Sequence, residues 1–93
     1  MKRLPTLKQL EYLAALADLG HFGRAAERCH VTPSTLSAGI QDLERVLGVR
    51  LAERSRRHVL ITPIGQAIAV RARELLRDAE DIMSLAASDR APL

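Results

Sequence analysis

The sequence predicts a mainly α-helical fold, with a core of three short helices, a two-stranded hairpin and one long final helix. Three observations lead to this fold. Apolar residues recur at helical spacing in three segments between residues 6 and 47. Two short β-type runs then flank a basic link at residues 54–58. A pattern without proline continues from residue 64 to about residue 87, which predicts a helix that protrudes from the core.

The first helix is predicted to begin after Thr6 and to end at Gly20. Thr6 followed by Gln9 matches a capping box, in which each side chain accepts a hydrogen bond from the other residue's backbone N–H. A glycine after the last apolar repeat is typical of a helix end. The apolar face of this helix is expected to consist of Leu10, Leu13, Ala14 and Ala17.

Residues 22–47 predict a helix-turn-helix, two helices joined by a tight turn. The alanines of its first helix allow a neighbouring helix to approach closely. Thr32 caps the following helix, Pro33 takes the first helical position, and Gly48 follows the last one. The residues expected to face the core are Phe22, Ala25, Ala26 and Cys29 in the first of these helices and Leu36, Ile40, Leu43 and Leu47 in the second.

The outer face of the helix after Thr32 is predicted to be small and polar. Such a face leaves room for base-pair edges in a major groove. Gly39 lies in this helix, where glycine costs about 0.5–1 kcal/mol relative to alanine. Close approach to DNA is the one reason that the sequence suggests for it. The residues left on the outside are Ser34, Thr35, Ser37, Ala38, Gln41 and Asp42.

The hairpin is predicted from two short apolar runs, one with Val49 and Leu51 and the other with Val59 and Ile61. A basic hairpin beside a helix-turn-helix indicates a wing, whose arginines would contact phosphates or a minor groove. A solvated turn is the alternative. The basic residues between the two runs are Arg54, Arg56, Arg57 and His58.

The final helix carries a regular apolar seam, which predicts a homodimer. Thr62 and Pro63 repeat the cap-and-proline start. Apolar repeats of seven residues are typical of paired helices. The alternatives are that the helix packs only on its own domain, or that it recruits a different protein. The seam consists of Ile68, Leu75 and Ile82 together with Ala72, Ala79 and Ala86.

Composition limits the remaining function classes. The 14 Lys and Arg against 11 Asp and Glu give a formal charge of +3, which permits a polyanionic partner. A single cysteine excludes an internal disulfide; without an apolar signal region or a membrane-length apolar run, we expect a cytosolic protein and no membrane partner. Cys29 is predicted to be a buried thiol and not a redox switch. No metal-ligand spacing and no nucleophile elbow occur, so no metal, no cofactor and no enzymatic activity are expected.

The run AAERCHVTPSTLSAGIQDLERVLGVRLAER, followed by VLITPIG, resembles the N-terminal DNA-binding region of LysR-type bacterial transcription regulators. The resemblance covers nearly the whole chain. It implies a winged helix-turn-helix over residues 4–62, a dimerisation helix over 63–88 that pairs antiparallel with its twin, and a hinge or chain end at 89–93. It also implies a C-terminal effector-binding domain, which we expect to lie beyond this chain. Within the family, Cys29-His30-Val31 and Thr35-Leu36-Ser37 are most similar to the peroxide-sensing regulators.

The predicted function is therefore sequence-specific binding of double-stranded DNA by a homodimer, with a tetramer allowed in the full-length protein. Control of an oxidative-stress response follows from the subgroup. A helical protein-interaction module, with an incidental basic hairpin, is the alternative. Pro33 and Gly39 depart from the family at two usual base-reading positions. The expected DNA contacts are His21, Thr32, Pro33, Ser34, Thr35, Ser37, Gln41, Arg54, Arg56 and Arg57.

Overall fold

A computed structural model describes residues 3–55 and 58–90 of the chain. The mainly α-helical class is confirmed, with four helices and one two-stranded antiparallel sheet in these ranges. The elements in chain order are α1 (Leu7–Leu19), α2 (Phe22–Arg28), α3 (Pro33–Leu47), β1 (Ala52–Arg54), β2 (Val59–Ile61) and α4 (Pro63–Asp89).

The predicted helix ends are confirmed for α1 and α3. The Thr6 hydroxyl accepts from the backbone N–H of Gln9, and the Gln9 side chain accepts from that of Thr6, which completes the capping box. Thr32 caps α3 in the same way. Both helices end in the left-handed region that glycine adopts most easily, at Gly20 (φ 63°) and Gly48 (φ 70°).

The end of α2 was less predictable, because its left-handed residue is His30, with φ 58°. Cys29 does not continue the helix as predicted but is its C-cap. The N–H of His30 donates to the Glu27 carbonyl (3.1 Å), and that of Val31 donates to the Ala26 carbonyl (3.0 Å). These two bonds form a Schellman motif, which makes the turn between α2 and α3 tight although no glycine is present.

The core lies between α1, α2, α3 and the first turns of α4. Most of the predicted core residues of α1, α2 and α3 are buried. Ala17, Phe22 and Leu47 are only half-buried, because they pack at the rim of the cluster. The largest side chains with almost no exposed surface are Leu13, Leu16, Leu36, Ile40, Leu43 and Leu51.

The hairpin forms as predicted, with Ala52 opposite Ile61 and Arg54 opposite Val59. Since side chains alternate along a strand, Ala52 and Ile61 face the core while the next pair, Glu53 and Leu60, faces outward. Arg54 and Val59, at the far end of the ladder, return to the inner side. This side of the hairpin is turned toward α2 and α3.

The prediction that the first strand includes Val49 is wrong. The Glu44 carboxylate accepts from the backbone N–H of Leu51 (2.7 Å), which ties the linker to α3. Pairing with β2 therefore begins only at Ala52, and Val49 lies exposed in the linker. Leu51 is fully buried, as a core residue just before the strand.

Helix α4 has 27 residues, so it is about 40 Å long. Its first half packs on α1, where Ala69 and Ala72 are buried. Arg73 also donates to the Asp18 carboxylate of α1 (2.6 Å). From residue 80 onward every described residue of the helix is exposed. In the described ranges, no helix has both the length and the apolar character needed to cross a bilayer.

Gly39 has a packing reason that lies inside the protein. A Cβ at this position would lie 2.5 Å from Cδ2 and 2.7 Å from Cε2 of Tyr12, a buried residue of α1. The glycine thus allows the Tyr12 ring to lie against the backbone of α3. The expectation that Gly39 serves close approach to DNA is wrong, because its missing side chain points at α1.

We predict that Gly39→Ala lowers the free energy of unfolding by about 1–2 kcal/mol. Overpacking against a buried ring costs about 1–3 kcal/mol, and alanine recovers up to about 1 kcal/mol of helix propensity. Urea unfolding measures the difference. Ala38→Gly at the exposed neighbouring position is the control, with an expected cost of about 0.5–1 kcal/mol from propensity alone. A more stable Gly39→Ala protein would contradict the packing explanation.

Candidate nucleic-acid interface

Helix α3 presents one end of its outer face to solvent. Its opposite face is fixed in the core by Leu36, Ile40 and Leu43, all of which are buried. Because these anchors leave the helix no freedom to rotate, the residues on the other side are held outward. Four consecutive residues at its start are exposed, and Gln41 is exposed further along. The four are Thr32, Pro33, Ser34 and Thr35.

The two threonines at the start of α3 are not equivalent. The Thr32 hydroxyl oxygen accepts from the backbone N–H of Thr35 (3.1 Å), and its hydrogen is donated to the Thr35 hydroxyl oxygen (3.0 Å). Thr32 therefore serves as the cap, with its hydroxyl already engaged. The Thr35 hydroxyl keeps its own hydrogen, which it can donate to an acceptor on a ligand.

Ser37 joins α3 to the hairpin. Its hydroxyl oxygen accepts from the guanidinium of Arg54 (2.5 Å). The same guanidinium lies over the Phe22 ring, with Cζ 4.4 Å from the ring centre, which is a cation–π arrangement. Arg54 thus contacts α2 and α3 together. Ser37, by contrast, is a half-buried holder of Arg54 and not a free hydroxyl.

His21 is the N-cap of α2. Its Nδ1 accepts from the backbone N–H of Arg24 (3.1 Å), so this nitrogen is unprotonated and only Nε2 remains for another partner. The ring lies at a cleft of about 230 Å³ between the start of α2 and the hairpin, which Arg54, Ser55 and His58 also line. The cleft thus lies between the start of α2 and the base of the wing.

Arg56 and Arg57, the other arginines of the predicted wing, lie outside the described residues. Ser55 and His58 on either side of them are joined by a hydrogen bond from the Ser55 N–H to the His58 carbonyl (2.9 Å). The two chain segments are therefore still hydrogen-bonded just beyond the paired strands. Arg54 and His58 are exposed.

Asp42 forms a network that the sequence did not reveal. Its carboxylate accepts from the Gln9 amide (2.6 Å) and from the Arg3 guanidinium (2.8 Å). Gln9 therefore bonds both the start of α1 and the middle of α3. Asp42 belongs to this network and not to the open face on which it was expected. The capping-box pattern revealed Gln9, but no sequence signal paired it with a residue 33 positions away.

The seam of α4 is divided between two environments. Ala72 is buried and Ile68 half-buried, both against the protomer's own core, so Ala72 has no surface left for a second chain. Leu75 and Ile82 are exposed by 47% and 67%. Ala79 is half-buried and Ala86 exposed. The alternative that α4 packs on its own domain therefore holds for its first half only.

Cys29 is buried, as predicted. Burial raises the pKa of its thiol above the ordinary value, and the nearby Glu11 carboxylate acts in the same direction. Both effects disfavour the thiolate, which is the reactive form. Among the residues that the structure describes, no group of three His, Cys, Asp or Glu side chains is arranged to hold a metal ion.

Known proteins match most of this chain. The family profile described as "Bacterial regulatory helix-turn-helix protein, lysR family" matches residues 7–66. The HTH-type transcriptional regulator EstR of Acinetobacter baylyi is 50% identical over 93 residues, which are 100% of this chain and 31% of that protein. The hydrogen peroxide-inducible genes activator of Escherichia coli O157:H7 is 46% identical over 80 residues, 86% of this chain and 26% of that protein. The chain thus spans less than a third of the length of these relatives.

The fold is also that of a protein solved together with DNA. The complex of BenM_DBD with catB site 1 DNA superposes with a TM-score of 0.86 at 31% sequence identity. The match covers 95% of this chain and 98% of that one. The described residues therefore have the winged helix-turn-helix fold that the sequence predicted.

Proposed function

This chain belongs to the LysR family of bacterial regulatory helix-turn-helix proteins, and from that premise we propose that residues 4–62 bind double-stranded DNA in a sequence-specific manner. One observation carries the proposal. Helix α3 is fixed in the core by its apolar face, and its exposed first turn lies on the same surface as the base of a basic hairpin. Duplex recognition requires an exposed helix that fits into a major groove and nearby cationic side chains that contact the phosphates.

Base edges are read by the start of α3. Thr35 donates its hydroxyl hydrogen to an acceptor such as N7 or O6 of guanine or O4 of thymine. Ser34 and Gln41 are exposed and can donate or accept. Pro33 supplies an apolar contact to a thymine methyl group. Thr32 caps the helix and places these residues.

The phosphate backbone is held on both sides of α3. Arg54, already fixed by Phe22 and Ser37, reaches the backbone from the base of the wing. Arg56 and Arg57 supply further charge at the wing tip, and His21 supplies Nε2 from the start of α2. Such contacts set the orientation of the protein on the duplex and are independent of sequence.

The functional unit is a homodimer formed through α4, and residues 63–88 are its dimerisation segment. Leu75 and Ile82 are exposed apolar side chains on one stripe, which a second copy would cover. Two copies present two α3 helices to one duplex, as operators with two half-sites need. A tetramer is compatible with this arrangement in the full-length protein.

The finer role follows from the relatives. Similarity to a hydrogen peroxide-inducible genes activator supports control of an oxidative-stress response by the full-length protein, which acts on promoter DNA in the cytoplasm. The part described here binds and does not catalyse, and it needs no cofactor. The alternative of a protein-interaction module is not favoured, since the DNA-bound neighbour superposes on 95% of this chain.

Thr35→Ala is expected to cost about 1–3 kcal/mol in binding to a cognate duplex and much less on random DNA, because the lost hydroxyl reads a base edge. Ser37→Ala is expected to weaken both complexes to a similar, smaller extent, because its hydroxyl holds Arg54. For each variant, Kd is measured at fixed salt on random DNA and on a cognate operator selected from a random duplex library. The ratio of these two Kd values is then compared with that of the parent.

Melting temperatures of the two variants control for loss of fold. Equal losses on both duplexes for Thr35→Ala would reduce Thr35 to a positioning contact. A parent protein that selects no sequence from the library would overturn sequence-specific binding itself.

Replacing Arg56 and Arg57 with alanine is expected to weaken binding to every duplex alike. The slope of log affinity against log salt should become shallower by about one or two, since one or two phosphate contacts are lost. A salt titration by fluorescence anisotropy measures the slope. The matched control is Arg77→Ala on the exposed side of α4, which should leave the slope unchanged. If the double variant keeps the parent's slope, the wing tip is not part of the interface.

Leu75→Glu is expected to convert the dimer to monomers, because the substitution places two carboxylates in an apolar contact without partners. Sedimentation equilibrium measures the association. Binding to a duplex with two half-sites should fall steeply, and weak binding to one half-site should remain. Val70→Glu is the control, because Val70 is similarly exposed but lies off the seam. A dimeric Leu75→Glu protein would exclude the seam as the interface.

A further inference from the structure

Four residues of α4 recur every seven positions beside the seam, and we call them the flanking column. They lie at the heptad position next to Leu75 and its repeats, on the side of the helix away from the buried Ala69. All four are exposed: Ile64 by 45%, Leu85 by 73%, and the Arg71 side chain by 80%, with Asp78 also exposed. The flanking column consists of Ile64, Arg71, Asp78 and Leu85.

The flanking column has an apolar residue at each end and two residues of opposite charge between them. Residues 64 and 85, both apolar, have the same midpoint as residues 71 and 78, which carry opposite charges. That midpoint lies beside Leu75, the central residue of the seam. In an antiparallel pair of helices centred there, Ile64 lies level with the partner subunit's Leu85, and Arg71 lies level with the partner subunit's Asp78.

We propose that the flanking column sets the register of the antiparallel α4 pair, with Arg71 bound to Asp78 of the partner subunit twice in each dimer. The inference rests on the proposed homodimer and specifies how its two helices align. Residues at this heptad position flank the apolar contact and are the usual site of ion pairs between helices.

The seam alone does not determine the register. Because its apolar residues repeat every seven positions, an antiparallel pair that slips by seven residues still places apolar residues on apolar residues. The flanking column distinguishes these alignments. A slip by seven in one direction brings Arg71 level with the partner's Arg71, and a slip in the other brings Asp78 level with the partner's Asp78. Both slipped antiparallel alignments are thus opposed by repulsion.

Formation of the pair requires little rearrangement within the protomer. Arg71 Nε is 3.7 Å from the Glu74 carboxylate, in an exposed ion pair within α4. Such pairs contribute little to stability, so Arg71 is available to a better placed carboxylate. Among the described residues of its own protomer, no apolar side chain covers Leu85, and the partner subunit's Ile64 at the same level would do so.

Charge reversal and mixing test the register. Arg71→Asp and Asp78→Arg are made separately in the 93-residue chain, and dimer dissociation is measured by sedimentation equilibrium without DNA. Each single variant opposes like charges twice, so its dimer Kd should rise about tenfold. An equimolar mixture of the two should form heterodimers with a Kd within about threefold of the parent's, because both pairs are then complementary. The double variant should also recover.

Arg77→Asp and Asp81→Arg, on the opposite exposed side of α4, form the matched control, and neither should alter the Kd. Circular dichroism checks that each variant keeps its helices. If the parent is dimeric and the mixture stays as weak as the single variants, the Arg71–Asp78 register is wrong while the homodimer stands. A monomeric parent overturns both. Since no DNA is present, failure of the protein to bind a duplex leaves the result unaffected.

Discussion

The backbone of Leu51 is the junction on which the arrangement of the interface depends. Its N–H donates to the Glu44 carboxylate of α3 (2.7 Å), and its carbonyl accepts from the N–H of Thr62 at the start of α4 (2.9 Å). A Cβ on Gly65 would overlap that carbonyl, so the first turn of α4 can approach it only with glycine. The buried Leu51 side chain fixes the junction in the core. Helix α3, the hairpin and α4 therefore keep one relative orientation.

The sequence predicted local structure more accurately than it predicted which elements contact each other. The caps at Thr6, Thr32 and Thr62 were predictable, because a cap is a short-range pattern of three or four residues. The reason for Gly39 was not, since it lies in Tyr12, a residue of another helix. The role of Ser37 depends likewise on Arg54, 17 positions away. Helical periodicity indicates which side a residue occupies, but not which neighbour it meets there.

The apolar surface of α4 illustrates the same limit. A repeat of seven residues predicted one seam for one partner, and six residues fitted it. In the structure the stripe is divided, because α1 covers Ala69 and Ala72 while Leu75 and Ile82 remain exposed. A wide apolar stripe on a helix predicts burial, but it does not reveal how the stripe is shared between the protomer's own core and a second chain.

The contact between α1 and α4 connects the helix of the proposed dimer to the part of the protein that would recognise DNA. Asp18 accepts from Arg73 of α4 (2.6 Å) and from Arg28 of α2 (2.9 Å), so one carboxylate joins α4 to the helix that packs against α3. Helix α4 continues without interruption from this contact through Leu75. A change in its tilt at Asp18 would therefore displace α3 relative to the dimer axis. Since half-site spacing is set by the separation of the two α3 helices, these ion pairs, although partly exposed, would act on operator geometry more than on stability.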